Sequence, residues 1–366
     1  MNVERFQGKQ GLLSLKDEWN TITASMPHKR YFHLHEFHLS YINSLEKDED
    51  SVHFYVIRRD QHPIAIVPLA LRTMKVFGIP IRIYRLFPDT SHLGGFTDCI
   101  CSESSASMFK TLMDHLKTLK TRWDILYIRK CLADSYIITL LNAAHGYKCI
   151  QEHSGWNGYV TKPELDNIGH KLTTKSQAKS NRNLRKLQKK GEIELTHAVK
   201  VDDLKKYLKR FIVIEDSGWK GDTGTSIMLD SQYAQFYENL MENFGVIGAC
   251  EINLLSLNGQ SIAGQVTFLV DDTCYIAKIA YDESYSNMTP GMLMCEQLFR
   301  KLSEQENFRE CNFISFPKWI NRWNYNSIDT LRVLVFNQTL RGRFSALMLP
   351  WAKRLNRVPK SIFTEN

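Results

Sequence analysis

A lysine interrupts a stretch whose other residues suit a buried strand. Residues 274–285 read Cys-Tyr-Ile-Ala-Lys-Ile-Ala-Tyr-Asp-Glu-Ser-Tyr. With the two-residue period of a strand, Ile276, Lys278 and Ala280 share one face, so an ammonium falls in mid-sheet. Burying it is costly unless it is paired or put to use. Two readings follow: a salt bridge to a neighbouring acid, or a cation that stabilises charge in a reaction. Directly afterwards, Thr289-Pro290-Gly291 opens an apolar-periodic helix that runs to Leu302. Threonine suits the N-cap, proline the first turn, and glycine a close approach of backbone to ligand. Such a start aims free N–H groups and a positive dipole end outward, which favours phosphate. It is also how many ordinary helices begin.

The elements around this segment set its surroundings. Residues 249–257 and 261–270 read as strands joined by Asn258-Gly259, a strong tight-turn signal, and Asp271-Asp272 turns the chain into the strand at 273–280. Before them come a strand at 193–196, an amphipathic helix at 204–217, a turn-rich loop at 218–225 and a helix at 233–243. The first half has its own hairpin, 52–57 and 64–69 across the turn at 59–63, then a strand at 81–87. A helix at 109–120, a strand at 123–128, a helix at 137–144 and a strand around Tyr159 follow. Ile64-Ala65 and Ile262-Ala263 each follow a turn and lead into a strand, a short echo best explained by one fold used twice. The composition is mixed α/β with hairpins, and no G-x-G-x-x-G follows a strand, so a dinucleotide-binding sheet is disfavoured.

The 366 residues suffice for two domains, and the polar, Pro- and Gly-bearing stretch at 161–171 marks the junction. The expected division is 1–165, 166–338 and a basic amphipathic tail at 339–366. No apolar run approaches the roughly 20 residues of a membrane span, and Met1 to Arg5 lacks the order of a signal peptide. A cytoplasmic location is expected. The eight cysteines lack zinc-ligand spacing and read as buried thiols. His33, His35 and His38 invite a metal reading, but without an accompanying acid or thiol they read as solvated histidines. The net charge of +8 favours anionic partners without choosing among them.

Three ordered segments carry a resemblance: 182–191 (Arg182 to Gly191), 215–225 (Glu215, Trp219 and Lys220 with Gly224-Thr225), and 278–293. Together they resemble the BioF2-like and CelD (BcsL)-type acetyltransferases of the GNAT superfamily, which are related to the Fem-type aminoacyltransferases. The likeness extends from about Trp19 to Trp323. It implies an α/β (α+β, mixed-sheet) fold of two similar GNAT domains packed together. It further implies an acyl-CoA or acyl-carrier-protein donor and an amine acceptor, an amino sugar or another envelope precursor. Direct transfer would need a proton acceptor and donors for an oxyanion. Glu215 or Asp282 is the candidate base, and Lys278 is the candidate charge stabiliser. Gln265, Thr267, Thr289, Pro290 and Gly291 are expected to hold the donor. Arg182, Arg185, Trp219, Lys220, Tyr281, Tyr285, Lys318, Arg322 and Trp323 are expected to face the substrate. No metal is expected. One departure stands out: relatives often carry an aspartate where this chain has Asn312.

The basic run from Lys171 to Lys190 lacks the interleaved aromatics of a single-strand binder. It suits a solvated helix face, an anionic donor, a carrier protein or a lipid-linked acceptor. In a Fem-like ligase the same charge would meet aminoacyl-tRNA. In the tail, Phe344, Leu347, Met348, Trp351 and Leu355 fall near one face among basic residues, a pattern that fits either an anionic membrane surface or the protein's own core. A non-catalytic anionic-surface binder on the same fold is the remaining alternative.

Overall fold

A computed structural model of the chain describes all residues except 77, 91–92, 94, 104, 120–121, 143–145, 167–173, 219–220, 222, 225, 324 and 355–366. The chain forms two compact units: 1–42, 46–156 and 328–366 in the first, and 43–45 and 157–327 in the second.

In the first unit, strands β1 (Asn2–Gln7), β2 (Val52–Arg59), β3 (His62–Val76) and β4 (Ile79–Leu86) form an antiparallel meander. Helices α1 (Gly8–Ser14), α2 (Lys16–Ala24) and α3 (His35–Ile42) lie between β1 and β2 in sequence. The β2–β3 turn is made by Asp60 and Gln61, both with positive φ. A short strand, β5 (Ile100–Cys101), pairs with β3 beyond the start of the β3–β4 ladder. Helix α4 (Ala106–Thr118) then leads to β6 (Ile125–Leu132), which runs parallel to β4. Helix α5 (Tyr136–Asn142) and strand β7 (Lys148–Thr161) follow. The core of this unit gathers Tyr55, Val67, Leu112, Met113, Trp123 and Ile128.

The chain enters the second unit within β7 and continues through α6 (Lys162–Asp166) and α7 (Thr174–Gln188). Strands β8 (Ile193–Ala198), β9 (Cys250–Leu257), β10 (Gln260–Val270) and β11 (Thr273–Tyr281) form a second antiparallel meander. Helices α8 (Val201–Asp216) and α9 (Ser231–Val246) lie between β8 and β9, and α10 (Pro290–Ser303) leads to β12 (Glu310–Asn312), parallel to β11. The two units thus share one order of pairing: a four-stranded meander with helices after its first strand, then a helix and a parallel strand. This is a tandem GNAT-type fold. The Asn258-Gly259 turn has positive φ at both positions, as the strand twist demands. Gly264 lets Phe211 of α8 pack onto β10, since a Cβ there would come within 2.7 Å of that ring.

β13 (Asn326–Phe336) returns to the first unit and pairs antiparallel with β6. The last described helix, α11 (Leu340–Arg354), groups with that unit as well. It packs through Ala346 and Leu349 on Ile81, Ile83 and Ile125, so residues 340–349 dock on a core. The expected apolar stripe is out of phase with this contact: Leu347 is 71% exposed. Gly342, Ser345, Ala346 and Leu349 form the buried face at helical spacing. The side chain of Trp351 and the whole of Leu355 lie outside the described residues.

Two expectations about titratable side chains resolve differently. Seven cysteines are buried and Cys149 is exposed, and all eight are free thiols. Burial pushes Cys101, Cys131, Cys250 and Cys295 up to about 12. The three histidines are not solvated: His33, His35 and His38 are buried. His33 faces Asp98 at 3.3 Å, while His35 and His38 sit on the carbonyls of Leu12 and Leu34 and edge onto Trp19. Among the described residues, no helix is long and apolar enough to cross a membrane.

Candidate active site

The site begins where two parallel strands part. β11 and β12 pair only over Thr273–Tyr275 and Glu310–Asn312. From Ile276 onward β11 is held by β10 alone among the described strands, so its other edge opens into a cleft of about 500 Å3. Residues 276–281 form one wall, and Phe313, Ser315, Pro317 and Trp319 form the opposite one. The start of α10 contributes Thr289, Gly291 and Met292, and the end of α8 contributes Ile214 and Glu215.

A bulge decides where Lys278 points. Val266 pairs with Lys278 and the next residue, Thr267, with Ile276, so Ala277 is extra in β11. The face expected to join Ile276, Lys278 and Ala280 is therefore broken. Ile276 stays with Cys274 and Cys295 in the core beside α10, whereas Lys278 turns to α8. Its Nζ lies 3.1 Å from Oε1 of Glu215, a carboxylate with no exposed side-chain surface, while Lys278 is 18% exposed. Glu215 Oε2 accepts from the backbone N–H of Ile227 at 3.0 Å. The ammonium also stands 5.3 Å from the centre of the Tyr237 ring. Burial, then the nearby Glu215 charge, hold the Tyr237 phenol well above its ordinary pKa. The salt-bridge reading of Lys278 holds, and the same side chain lines the cleft.

The start of α10 is unlike the expected cap. Thr289 is left-handed at φ 50 and makes no side-chain cap. Its hydroxyl instead accepts from Nδ2 of Asn183 at 3.0 Å. Met292 and Leu293 donate to the Thr289 carbonyl and Pro290 has no N–H. That leaves the Gly291 N–H, at the cleft, without an acceptor among the described residues. A Cβ on Gly291 would come within 3.2 Å of the Tyr281 ring, which explains the glycine.

The other expected residues sort by position. Gln265 and Thr267 sit on β10, a strand paired on both sides, so the ladder uses their backbone groups. Gln265 Nε2 donates to Cys295 Sγ and Thr267 Oγ1 to the Glu251 carbonyl; neither residue lines the cleft. Asp282 is a helix cap, its Oδ1 accepting from the N–H and hydroxyl of Ser284. The acid that reaches the cleft from this turn is its neighbour Glu283. Burial and the Glu283 carboxylate raise the Tyr281 phenol above its usual pKa. Tyr281 lines the cleft, while Tyr285 packs on the apolar cluster beneath α7. Arg182 and Arg185 are exposed on α7. Trp323 is core, edge-on to Phe299 and Trp319. Trp219 and Lys220, and the side chains of Lys318 and Arg322, lie outside the described residues. Asn312 accepts from the N–H of Ile314, which is left-handed at φ 58, so it shapes the turn into the far wall. Phe313, Trp319, Met292 and Tyr237 were not singled out by sequence; an aromatic near a Pro-Lys turn reads as core until the strands are seen to part.

Residues 174–315 match the acetyltransferase (GNAT) domain family. No curated protein matches the chain. Among solved structures, FemX shares 10% identity over 94% of this chain and 99% of its own, at a TM-score of 0.59. A conserved protein of unknown function from Bacteroides thetaiotaomicron shares 12% over 89% and 97%, at 0.56. The C-terminal domain of a putative lysylphosphatidylglycerol synthetase from Agrobacterium fabrum shares 11% over 94% and 97%, at 0.53. These likenesses establish the fold. The matched domain contains Glu215, Lys278 and the parted strands, so the chain carries an acetyltransferase domain of the GNAT type over residues 174–315.

Proposed function

We propose that the cleft transfers an acyl group from a thioester donor directly to an amine, with an amino sugar or another envelope precursor as acceptor. The observation that carries this reading is the pairing of half-buried Lys278 with the buried Glu215 in the wall of a cleft opened by strand parting. The free edge of β11 and the Gly291 N–H suit a donor whose amide-bearing arm lies along a strand and whose phosphates meet a helix start. The amine nitrogen attacks the thioester carbonyl, the C–N bond forms, and the C–S bond breaks to release a thiolate, which takes up the proton that the nitrogen gives to the base and leaves as the thiol. The Lys278 ammonium, held by Glu215, stabilises the oxyanion that develops. Glu215 is already bonded twice, so its role is to position Lys278; Glu283 is the cleft acid placed to take the proton from nitrogen. Apolar Met292, Phe313 and Trp319 surround the acyl group.

A panel of acyl-CoA thioesters tests this reading, with thermal stabilisation and thiol release as readouts. Indifference to every thioester overturns it. The likeness to FemX and to a lysylphosphatidylglycerol synthetase domain supports a second reading, in which the donor is an aminoacyl ester on tRNA. Aminoacyl transfer from charged tRNA, with no response to thioesters, would select it.

A further inference from the structure

The charges on α7 are arranged for a partner. The stretch 171–190 contains no acidic residue. Lys179, Arg182, Arg185, Lys186, Lys189 and Lys190 are all exposed. None of the six has an ion-pair partner among the described residues. With 100° per residue carried on through the turn at 189–190 that ends α7, they occupy one arc of about 140° over roughly 16 Å. Asn183 and Leu187 are buried on the opposite side and Ser180 and Leu184 half-buried. Lysines and arginines three and four apart on one face repel each other and weaken the helix. Helix α8 shows the ordinary arrangement, with Lys205 paired to Glu242 and Lys206 to Asp203.

This stripe runs beside the cleft. Asn183 bonds Thr289, which lines the cleft mouth; Lys179, Arg182 and Lys186 flank Asn183 on the helix surface. Ser180 bonds Glu296 of α10, and the Lys190 ammonium stands 6.0 Å from the centre of the Tyr285 ring. We propose that α7 is the docking surface for an acidic carrier protein, which presents the acyl group as a thioester on a flexible arm that enters the cleft. This rests on the acyl-transfer reading of the same cleft. The charge and shape of the stripe favour such a partner. Its exposed arc carries no aromatic on which single-stranded bases could stack. It carries no apolar anchor for a lipid surface. With its inner face packed on the unit, α7 cannot sink into a nucleic-acid groove, but an acidic helix can lie alongside it.

The test measures binding of the full chain to an acyl-loaded acidic carrier protein, to total tRNA and to phosphatidylglycerol vesicles, across a salt series. The triple variant Lys179→Glu, Lys186→Glu, Lys189→Glu is compared with the wild type, and its melting curve reports folding. A milder Lys179→Gln, Lys186→Gln, Lys189→Gln variant serves if the first fails to fold. The expected result is saturable carrier binding that weakens with salt and falls about tenfold or more on charge reversal, while thiol release from acyl-CoA is unchanged. Carrier binding indifferent to the substitutions overturns the proposal. So does selective binding to tRNA or vesicles, or no binding to any of the three. Use of acyl-CoA without carrier binding defeats the docking site alone; failure with every thioester defeats the acyl-transfer reading as well.

Discussion

The two units part their parallel strands in the same way and treat the gap differently. In the first unit β4 and β6 pair over Ile83–Arg85 and Ile125–Tyr127, as β11 and β12 do in the second. There the chain after β4 comes back to fill the opening. Thr97 donates its N–H to the Lys130 carbonyl at 3.1 Å, Phe96 is buried, and β5 takes the free edge of β3. In the second unit, no described strand occupies the corresponding edge of β11. Each gap also holds a lysine. Lys130 stands 4.6 Å from the centre of the Phe96 ring, and burial brings its pKa down to about 8. Lys278 faces Glu215 and the cleft. The fold supplies an opening; whether it becomes a site depends on what the following loop does with it.

The largest effect should come from emptying the filled gap. Phe96→Ala removes a buried aromatic and should cost about 3–5 kcal/mol in a urea denaturation while specific activity per folded molecule stays level. A loss of turnover in the folded variant would mean that the first unit's gap serves the reaction. Lys278→Met should lower the single-turnover rate of thiol release about 10²- to 10³-fold per folded molecule, and should also lower stability, because the buried Glu215 carboxylate loses its cation. Donor-induced stabilisation should persist in that variant. Unchanged turnover would remove Lys278 from the chemistry.

Lys130 sharpens the contrast through pH. Its folded pKa, near 8, lies below the ordinary 10.5, so between those values the unfolded chain binds the extra proton. Stability from this group therefore rises as pH climbs from about 8 to 10.5, and the full penalty is present below 8. Lys130→Met should stabilise the protein at pH 7 by on the order of 1–2 kcal/mol and flatten that alkaline rise. The wild-type-minus-variant difference in urea midpoint across pH 7–10 measures it; a difference that does not shrink with rising pH would disprove the burial penalty.

The sequence showed the hairpins and the β10–β11 meander because alternation and polar turn residues, Asn258-Gly259 and Asp271-Asp272 among them, are local signals. It showed Lys278 because a charge in an apolar strand is unusual; Glu215 came from the family resemblance, and Thr289–Gly291 drew notice by following that strand, since many ordinary helices begin the same way. β1 was missed, since Asn2 to Gln7 is half exposed and carries two charges. The bulge at Ala277 was invisible: a one-residue slip leaves no mark in composition, yet it moves Lys278 off the face of Ile276. The cleft was invisible for a related reason. It forms where pairing stops, and the end of a parallel ladder depends on residues far apart in sequence, such as Tyr275 and Asn312, 37 positions apart.

The smallest test separates two neighbouring acids. Asp282 and Glu283 are equivalent by sequence, and only geometry assigns one to a cap and the other to the cleft. Asp282→Ala removes an acceptor for the Ser284 N–H at the start of the short helix Glu283–Met288, which should cost about 1 kcal/mol, the usual loss on deleting a cap. Turnover under saturating donor should stay within about twofold, since the carboxylate lies outside the cleft. Glu283→Gln should leave stability nearly unchanged and lower turnover, most strongly at low pH, where the acceptor amine holds its proton. If the two variants exchange these phenotypes, the cleft wall has been drawn on the wrong side of the β11 end, and the proton passes through Asp282.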